Sequence, residues 1–345
     1  MREPLLLPAV ALATGLVTSL ATAALIPILR RQELLDHPNE RSSHNVPTPR
    51  GGGIAVIGSV SFAWLVLGQA GLVAPGVTSI LLGAGMLALI SWIDDLRGLS
   101  PMLRLLAQSA AVAVGVFALP ETPNAFQSGF GLALYFSGVG LLWVWWINLF
   151  NFMDGIDGLA GVEAAAIGVG LLLFAVLGGG AAPGQGLLAV AIIGAAIGFL
   201  VWNWSPARIF LGDVGSAPLG YLLGFLLLDL AVRGFWKMAL ILPLYFLADA
   251  SITLVRRLFR GERVWQAHRE HYYQQAVRRG LGHAAVVKRV IAADILLIAC
   301  GWTAENGWGA VSLAASVVIV VALLIMLSRA SRRLPQVRTE LHLPQ

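Results

Sequence analysis

The feature that most constrains this chain is its series of long apolar runs. The stretch from Pro4 to Leu29 contains about 26 residues without a charged side chain, and about 20 apolar residues suffice for a helix to cross a bilayer. The run is also longer than a signal-peptide core, so we expect a retained helix. Of the 345 residues, 58% are hydrophobic and only 12% are charged, whereas soluble domains carry about 25% charged residues. The sequence predicts a membrane protein of several spans.

The predicted fold class is all-α, a polytopic membrane bundle of about eleven transmembrane helices. Residues 1–330 form one predicted transmembrane domain, and residues 331–345 form a polar tail. The predicted spans, found from hydropathy, are residues 4–29, 51–70, 74–93, 101–119, 128–147, 159–179, 184–204, 216–233, 236–255, 288–303 and 309–328.

The basic residues lie almost all on one side of this predicted arrangement. Twenty of the 23 lysines and arginines fall in alternate connections and the tail, and only Arg2, Arg233 and Lys237 fall on the other side. Cytoplasmic loops carry the excess of lysine and arginine. We therefore expect a periplasmic amino terminus and a cytoplasmic carboxyl terminus, which requires an odd number of spans.

The stretch Trp143–Gly161 places polar side chains between two apolar segments. Asn148, Asn151, Asp154 and Asp157 supply carboxylate and amide oxygens within ten residues. An ionised aspartate at mid-membrane costs roughly 2.5 to 3.5 kcal/mol on insertion scales. The stretch should therefore lie at a membrane face, where its oxygens are available as ligands for a hard cation.

Two further polar turns are predicted on the same face. Asp94 and Asp95 end the third span, where they oppose the helix dipole and repel each other, so the turn is either a solvated helix end or a cation site. Arg104 lies in the first turn of the next predicted span. Asp213 and Ser216 precede an apolar run, and they either cap a helix or mark a helix start that binds phosphate.

Basic and histidine-containing segments complete the predicted cytoplasmic face. Arg41, His44 and Arg50 lie in a proline-rich connection, and they could contact an anionic ligand or lipid headgroups. His268 and His271 lie three residues apart in the most basic loop. No carboxylate or cysteine stands at a zinc-ligand spacing from them, so contact with phosphate is the better interpretation.

The shared side of these patches indicates the chemistry. Oxygen ligands without cysteines or a histidine triad favour Mg²⁺, with Mn²⁺ as the alternative. A divalent ion beside basic groups at a membrane surface suggests phosphoryl transfer, in which catalysis is mostly positioning and charge neutralisation. The acidic and amide residues from three connections are Asp94, Asp95, Asn151, Asp154, Asp157 and Asp213.

Five motifs in order resemble one known family. They are DHPNERSSHNVPTPRGGG, WIDDLRGLSPMLRLLAQ, NLFNFMDGIDGLAG, NWSPARIFLGDVGS and AHREHYYQ. The combination resembles the polyprenyl-phosphate N-acetylhexosamine-1-phosphate transferases, the MraY and WecA group of glycosyltransferase family 4. The resemblance covers about residues 1 to 330, which would be the catalytic domain. It implies an all-helical bundle of ten or eleven spans, often dimeric, that moves a sugar 1-phosphate from a UDP-sugar to undecaprenyl phosphate with Mg²⁺ and releases UMP.

The resemblance also assigns expected roles to individual residues. Asp213 matches the metal-binding aspartate, and Asn151 matches an amide that joins it in some members. Asp94 and Asp95 match paired acids proposed to deprotonate or orient the lipid phosphate. Asp154 is predicted to be catalytic as well, because it lies on the same membrane face rather than because of the resemblance. The remaining candidates are Asp157, Asn203 and Phe210 around the uridine, His268 and His271 as catalytic residues near the diphosphate and sugar, and Arg41, His44 and Arg104 as substrate-binding residues.

Departures from the family pattern narrow the expected substrate. The peptidoglycan translocases carry a lysine before their TPTMGG motif and a run of histidines in the last loop, where this chain has Ser43 and HREH. The chain is more similar to the WbpL-like subgroup that starts O-antigen or other surface polysaccharides, whose sugars include N-acetylglucosamine, N-acetylfucosamine and N-acetylquinovosamine. The alternatives are a phospho-MurNAc-pentapeptide translocase, a secondary transporter and a non-catalytic scaffold.

The expected mechanism is direct attack by the lipid phosphate on the β-phosphorus. A phosphate monoester with a second pKa of about 6 is largely dianionic at pH 7, so Asp94 would position the nucleophile or metal rather than act as a base. The expected partners are a UDP-N-acetylhexosamine, undecaprenyl phosphate, the bilayer and a second copy of the chain, with no nucleic acid. The expected location is the bacterial inner membrane, with the site facing the cytoplasm.

Overall fold

The computed structural model describes residues 3–36, 46–120, 129–178, 180–182, 184–263 and 268–329. Most of these residues are helical. The helices are α1 (Glu3–Arg31), α2 (Gly53–Gln69), α3 (Val77–Arg97), α4 (Pro101–Gly115), α5 (Gly129–Met153), α6 (Leu159–Val176), α7 (Gln185–Asn203), α8 (Asp213–Leu230), α9 (Trp236–Ile241), α10 (Leu244–Phe259), α11 (Tyr272–Arg278), α12 (His283–Glu305) and α13 (Gly309–Arg329).

Local sequence explains the junction between α3 and α4. Gly98 follows the last residue of α3 with a φ of 68°, a left-handed conformation that glycine adopts without steric cost. The side chain of Ser100 then accepts a hydrogen bond from the backbone N–H of Leu103, 3.3 Å away, and Pro101 is the first residue of α4. The junction therefore turns sharply, which keeps Asp94 and Asp95 close to the start of α4.

Eight helical stretches among the described residues are long and apolar enough to cross a membrane, and the predicted count of eleven spans and their orientation remain predictions. The stretch Gly53–Gln69 is a shorter apolar helix. The eight stretches are Leu6–Arg31, Val77–Arg97, Pro101–Ala118, Gly129–Met153, Leu159–Val176, Gln185–Asn203, Asp213–Ile241 and Gly309–Arg329.

The predicted ninth span, residues 236–255, is not one continuous helix. Its first part, up to Ile241, is the end of the long helical stretch that begins with α8. Its second part belongs to α10, a separate helix. Pro243 stands at the break, as the residue preceding α10. Proline has no N–H to donate to the preceding turn, so a helix is readily interrupted there.

A small pair of strands adds to the predicted all-α fold. Strand β1 (Leu35–Asp36) pairs antiparallel with β2 (Thr48–Pro49). The N–H of Phe210 donates to the carbonyl of Pro49 over 2.8 Å, and Arg50 forms a parallel bridge with Phe210. These contacts fix Arg50 beside the loop that leads into α8.

Helix α8 lies at the centre of the bundle, where nearly all its residues are buried. Helices α3 and α5 both pack against it. Trp143 of α5 stacks on Tyr221 of α8 with 4.8 Å between ring centroids, and its indole N–H donates to the Tyr221 carbonyl. Because α8 is fixed on several sides, its first residue, Asp213, has a defined position.

The starts of α2 and α8 approach each other closely through glycines. A Cβ atom on Gly53 would lie 2.2 Å from the Cα of Gly215, a distance that no real side chain could tolerate. The glycines that follow Arg50 therefore allow the two backbones to meet. The contact brings Arg50 to the same end of the bundle as Asp213.

Candidate active site

The centre of the candidate site is an arginine between two aspartates. Nη2 of Arg50 lies 2.7 Å from Oδ1 of Asp95 and 2.8 Å from Oδ1 of Asp213. The carboxylate of Asp95 also accepts hydrogen bonds from the N–H groups of Asp213 and Val214, at 3.3 and 3.0 Å. Asp95 therefore caps the first turn of α8 from α3, so these two N–H groups hold a carboxylate rather than the phosphate that was one of the two predicted alternatives.

A second arginine connects Asp94 to the same centre. Nη1 of Arg104 lies 3.3 Å from Oδ2 of Asp94 and 3.7 Å from Oδ2 of Asp213. The Asp94 side chain is buried, whereas that of Arg104 is 38% exposed. Asp94 also accepts a hydrogen bond from the backbone of Leu99. Arg104 thus carries exposed positive charge beside two acids.

Asn151, near the end of α5, and Asp154, just after it, join this group. Nδ2 of Asn151 donates to Oγ of Ser216 over 2.7 Å, which ties α5 to the first turn of α8. Desolvation and the nearby charges of Asp213 and Asp95, opposed by Arg50, raise the pKa of Asp154 to about 7. The structure therefore brings together the polar turns that are separated in sequence.

Asp157 and Asn203 form a neighbouring group that connects two loops. Oδ2 of Asp157 accepts a hydrogen bond from the Ala207 N–H and lies 3.1 Å from Nδ1 of His283. Although desolvation acts to raise it, the pKa of Asp157 is lowered by its contact with His283. Asn203 accepts from the Gly158 N–H and donates to the Ile209 carbonyl, both over 2.9 Å. Both side chains are buried, so they hold the loops in position.

Phe210 lies on one of these two loops. Its side chain is partly buried, and its carbonyl accepts hydrogen bonds from the N–H groups of Gly51 and Gly52. The predicted uridine contacts of Asp157, Asn203 and Phe210 thus stay predictions. Of the three residues, Phe210 is the most exposed, because Asp157 and Asn203 are both buried.

The histidine-containing loop is held by an acid that the sequence left unassigned. Oδ1 of Asp249 accepts from the Tyr272 N–H over 2.9 Å, and Oδ2 accepts from the Tyr273 N–H over 3.3 Å. The hydroxyl of Tyr273 donates to the carbonyl of Phe152, at the end of α5. His271 is only 2% exposed, with Nδ1 3.5 Å from Asp249. The loop is therefore docked beside the acidic residues with His271 on its inner side.

His268 is the more accessible of the two predicted histidines. Its ring is partly buried and lies 4.8 Å from that of His271. Desolvation, and then the neighbouring His271 and Arg257, lower the pKa of His268 to about 4. The ring is therefore neutral at pH 7, so it can offer a hydrogen bond to a substrate but no positive charge.

The oxygen ligands suit an ion that arrives with its substrate. Across the described ranges, no group of three or more His, Cys, Asp or Glu residues forms a ready-made metal cage. Mg²⁺ commonly uses one or two carboxylates and completes its shell with water and substrate phosphates. The carboxylates of Asp213 and Asp154 with the amide of Asn151 fit that pattern. The metal itself remains a proposal.

Sequence reasoning missed three residues that organise the site. Arg50 was considered for an anionic ligand or lipid, and the structure pairs it with two aspartates. Asp249 and His283 carry no local sequence signal that marks them as part of the site. Their contacts join positions between 23 and 163 residues apart, which local patterns do not reveal. The predicted Arg41 and His44 lie outside the described residues.

A cavity of about 500 Å³ opens between α3, α4, α5 and α10. Its walls are mostly apolar, with Leu87, Leu141 and Leu258 among the lining residues. Asp94, Arg104, Asn151 and Asp213 line the same space, so an apolar cleft runs directly to the charged centre.

Comparisons with known proteins identify the family. Residues 77–231 match the family model described as Glycosyl transferase family 4. One relative is a Mycolicibacterium paratuberculosis protein (strain ATCC BAA-968 / K-10) named phospho-N-acetylmuramoyl-pentapeptide-transferase. It is 30% identical to this chain over an alignment of 354 residues, gaps included, which covers 87% of this chain and 96% of that protein. The chain belongs to glycosyl transferase family 4. It is thus a membrane enzyme of the sugar-1-phosphate transferase class, as its resemblance to the MraY and WecA group implied.

Two other relatives show the range of names within the family. A Bacillus subtilis (strain 168) protein, named probable undecaprenyl-phosphate N-acetylglucosaminyl 1-phosphate transferase, is 28% identical over 292 residues, 77% of each chain. A Mycolicibacterium smegmatis (strain ATCC 700084 / mc(2)155) protein, named decaprenyl-phosphate N-acetylglucosaminephosphotransferase, is 27% identical over 371 residues, 94% of this chain and 89% of that protein. The relatives of this family 4 chain therefore include two classes of sugar substrate.

Proposed function

We propose that this family 4 enzyme transfers an N-acetylhexosamine 1-phosphate from a UDP-sugar to undecaprenyl phosphate at the cytoplasmic face of a bacterial inner membrane. The observation that carries the proposal is the cleft that joins apolar walls to Asp94, Arg104, Asn151 and Asp213. A lipid phosphate has this same sequence of properties, an apolar chain followed by an anionic head. The cleft would hold the head and the first isoprene units, while the rest of the chain stays in the bilayer.

Arg104 is the group we assign to the lipid phosphate. It lines the cleft and carries exposed positive charge, and guanidinium groups bind phosphate oxygens through strong, charge-assisted hydrogen bonds. Asp94 holds Arg104 from the buried side. In this arrangement Asp94 positions the nucleophile, whose own second pKa of about 6 makes it largely dianionic at pH 7.

The diphosphate of the UDP-sugar is proposed to lie against Asp213, with Mg²⁺ bound to Asp213 and Asn151. The metal would neutralise charge on the phosphate oxygens during transfer. Asp95 and Arg50 hold the first turn of α8, and so hold Asp213 in place. Asp157, Asn203 and Phe210 keep their proposed place near the uridine, and His268 near the diphosphate and sugar.

The sugar is proposed to be N-acetylglucosamine or a deoxy amino sugar, and the product to begin an O-antigen or another surface polysaccharide. The support is the HREH form of the last loop, with its neutral, accessible His268. The second candidate is transfer of phospho-MurNAc-pentapeptide from its UDP donor to the same lipid phosphate. It is favoured by the name of the Mycolicibacterium paratuberculosis relative, which is 30% identical to this chain.

A transfer assay tests the proposal and separates the candidates. Purified protein is incubated with Mg²⁺, undecaprenyl phosphate and one UDP-sugar labelled with ³²P in its β-phosphate. The sugars are UDP-N-acetylglucosamine, UDP-N-acetylfucosamine, UDP-N-acetylquinovosamine and UDP-MurNAc-pentapeptide. Labelled lipid with one of the first three, together with UMP release, is the expected result. Label only with the pentapeptide substrate favours the second candidate, and no labelled lipid with any of them contradicts the proposal.

A further inference from the structure

Two buried acids away from the candidate site have no hydrogen-bonding partners. Glu163 is the fifth residue of α6 and is 0% exposed, and Asp294 lies near the middle of α12 and is 3% exposed. None of their four carboxylate oxygens makes a hydrogen bond within the described structure. Buried polar groups in native proteins are nearly always paired, so four orphaned oxygens need a physical explanation.

The other buried acids of the described bundle show what the usual solution is. Asp249 accepts hydrogen bonds from two backbone N–H groups and a tyrosine hydroxyl. Asp229 pairs with Arg233, and Glu305 accepts from Lys237 and from a backbone N–H. Each of these acids has at least two donors. Glu163 and Asp294 therefore differ from acids of similar burial in the same molecule.

The two orphaned acids lie near each other. Helix α6 packs against α12, and the two helices begin at the same end of the bundle, where His283 of α12 contacts Asp157. The carboxylates are close enough to repel each other electrostatically. Tyr245 on α10 also lies in electrostatic range of Glu163, and its hydroxyl donates a hydrogen bond to Asp249. It therefore leaves the charge of Glu163 uncompensated.

The chemistry of the pair restricts what could neutralise it. An unpaired ionised carboxylate in a membrane-spanning region is strongly unfavourable. Protonation of one of the two carboxyl groups removes one of the two charges. A single proton shared between them cannot complete the neutralisation, because it requires a short hydrogen bond between their oxygens and neither group makes one. No third His, Cys, Asp or Glu joins the pair among the described residues, and a divalent ion would bring two positive charges where a single negative charge remains. A small monovalent cation with hard oxygen ligands fits both observations.

We propose that Glu163 and Asp294 form a buried Na⁺ site between α6 and α12. The unpaired oxygens of the two side chains supply its ligands, and the ion compensates the one negative charge that remains when one of the two acids is protonated. Since α6 begins just after Asp157 and α12 begins at His283, the ion would fasten together the two helices that carry this contact. The proposal does not depend on which sugar the enzyme transfers.

The test is thermal unfolding of the purified full chain as a function of salt, in EDTA and without nucleotide, so that the proposed Mg²⁺ site does not contribute. Ionic strength is kept constant with choline chloride, and the probes are NaCl and KCl. Stabilisation by a ligand grows with the logarithm of its concentration above its Kd. We therefore expect the Tm to rise linearly with log[Na⁺], more steeply than with K⁺.

Matched variants locate the effect. Glu163→Gln and Asp294→Asn keep the side-chain size and should each abolish the Na⁺ dependence. Glu305→Gln, which alters a buried acid that has its own partners, should retain it. A wild-type Tm that does not respond to Na⁺, or responds no more steeply than to K⁺ or choline, overturns the proposal even where a variant fails to fold. An unchanged Na⁺ response in both variants overturns it as well.

Discussion

The two ends of the helix bundle both contain ion pairs, but they balance their charges differently. At the end away from the candidate site, Asp229 lies 3.1 Å from Arg233, and Glu305 lies 3.0 Å from Lys237. Each acid there has its own cation. At the candidate site, four carboxylates share two arginines. They are Asp94, Asp95, Asp154 and Asp213, with Arg50 and Arg104.

This difference separates a structural arrangement from one that can bind a ligand. A balanced pair is complete, and when partly exposed it contributes about 0 to 1 kcal/mol to stability. An excess of carboxylates repels itself until a cation is added, so the site is preorganised for a metal ion with its phosphate ligands. Substitutions at the site should therefore impair transfer, and matching substitutions at the opposite end should affect mainly stability.

The largest effect is expected for Asp213→Asn. The change removes the negative charge at the centre of the site while keeping the size of the side chain. Loss of one group that stabilises transferring charge commonly reduces kcat by about 100-fold to 1,000-fold. We expect a loss of at least that size in Mg²⁺-dependent transfer, measured with the labelled UDP-sugar.

Asp229→Asn is the matched control for this variant. Asp229 is the other aspartate of α8 and lies buried at the opposite end of the helix. Its substitution should lower the Tm and leave the transfer rate close to that of the wild type. Equal losses of activity in the two variants would mean that the charge imbalance at the site has no functional meaning.

Asp94→Asn is expected to reduce transfer by a smaller amount, about 10-fold to 100-fold. Asp94 holds Arg104, and the loss should be the same across pH because the lipid phosphate is already dianionic above its second pKa of about 6. The measurement is kcat from pH 6 to 9 for the variant and the wild type. A general-base role would instead appear as recovery of the variant at high pH.

Arg104→Gln should act mainly on lipid binding. A hydrogen bond to a charged group contributes about 1.5 to 3 kcal/mol, so the KM for undecaprenyl phosphate should rise at least about 10-fold. The KM for the UDP-sugar should change less. Arg233→Gln, at the opposite end, should leave both constants unchanged. A rise confined to the KM of the UDP-sugar would place Arg104 on the nucleotide instead.

The smallest effect concerns the pH dependence of stability. The pKa of His268 is about 4 in the folded chain and about 6.5 when unperturbed. As the pH falls below about 6.5 the unfolded chain binds this proton first, so the stability from neutral His268 is lost between about pH 6.5 and 4. His268→Gln should flatten the Tm against pH in that window. The pKa of Asp157 is lowered from 3.8 in the folded chain. Its contribution to stability is therefore lost only at pH values below this window.

Several features of the fold and site could be predicted because they depend on local sequence. Long apolar runs indicate spans, and the side of each polar turn follows from the alternation of spans. That reasoning was enough to group Asp94, Asn151 and Asp213, which the structure brings to one end of the bundle. The cap at Ser100 and the helix start at Pro101 likewise follow from residue preferences.

Other features depend on contacts between distant positions. Asp95 caps α8, whose first residue is 118 positions later in the chain. Asp94 and Asp95 are adjacent aspartates, so the sequence does not show that they have different partners. Asp249 looks like one more acid within a span, yet it anchors the backbone of the histidine loop. The break at Pro243 was missed because the surrounding residues are uniformly apolar. Hydropathy indicates that a segment lies in an apolar environment, but it does not show whether one continuous helix runs through that segment.

The most direct test of the account uses Mn²⁺ in place of Mg²⁺. Electron–nuclear double resonance on the protein with Mn²⁺ and a UDP-sugar reports whether the ion contacts the ³¹P nuclei of the diphosphate. The account predicts strong ³¹P coupling in the wild type, its loss in Asp213→Asn, and its retention in Asp229→Asn. Coupling that survives in Asp213→Asn would contradict the claim that the unbalanced carboxylates hold the metal and nucleotide beside the lipid cleft.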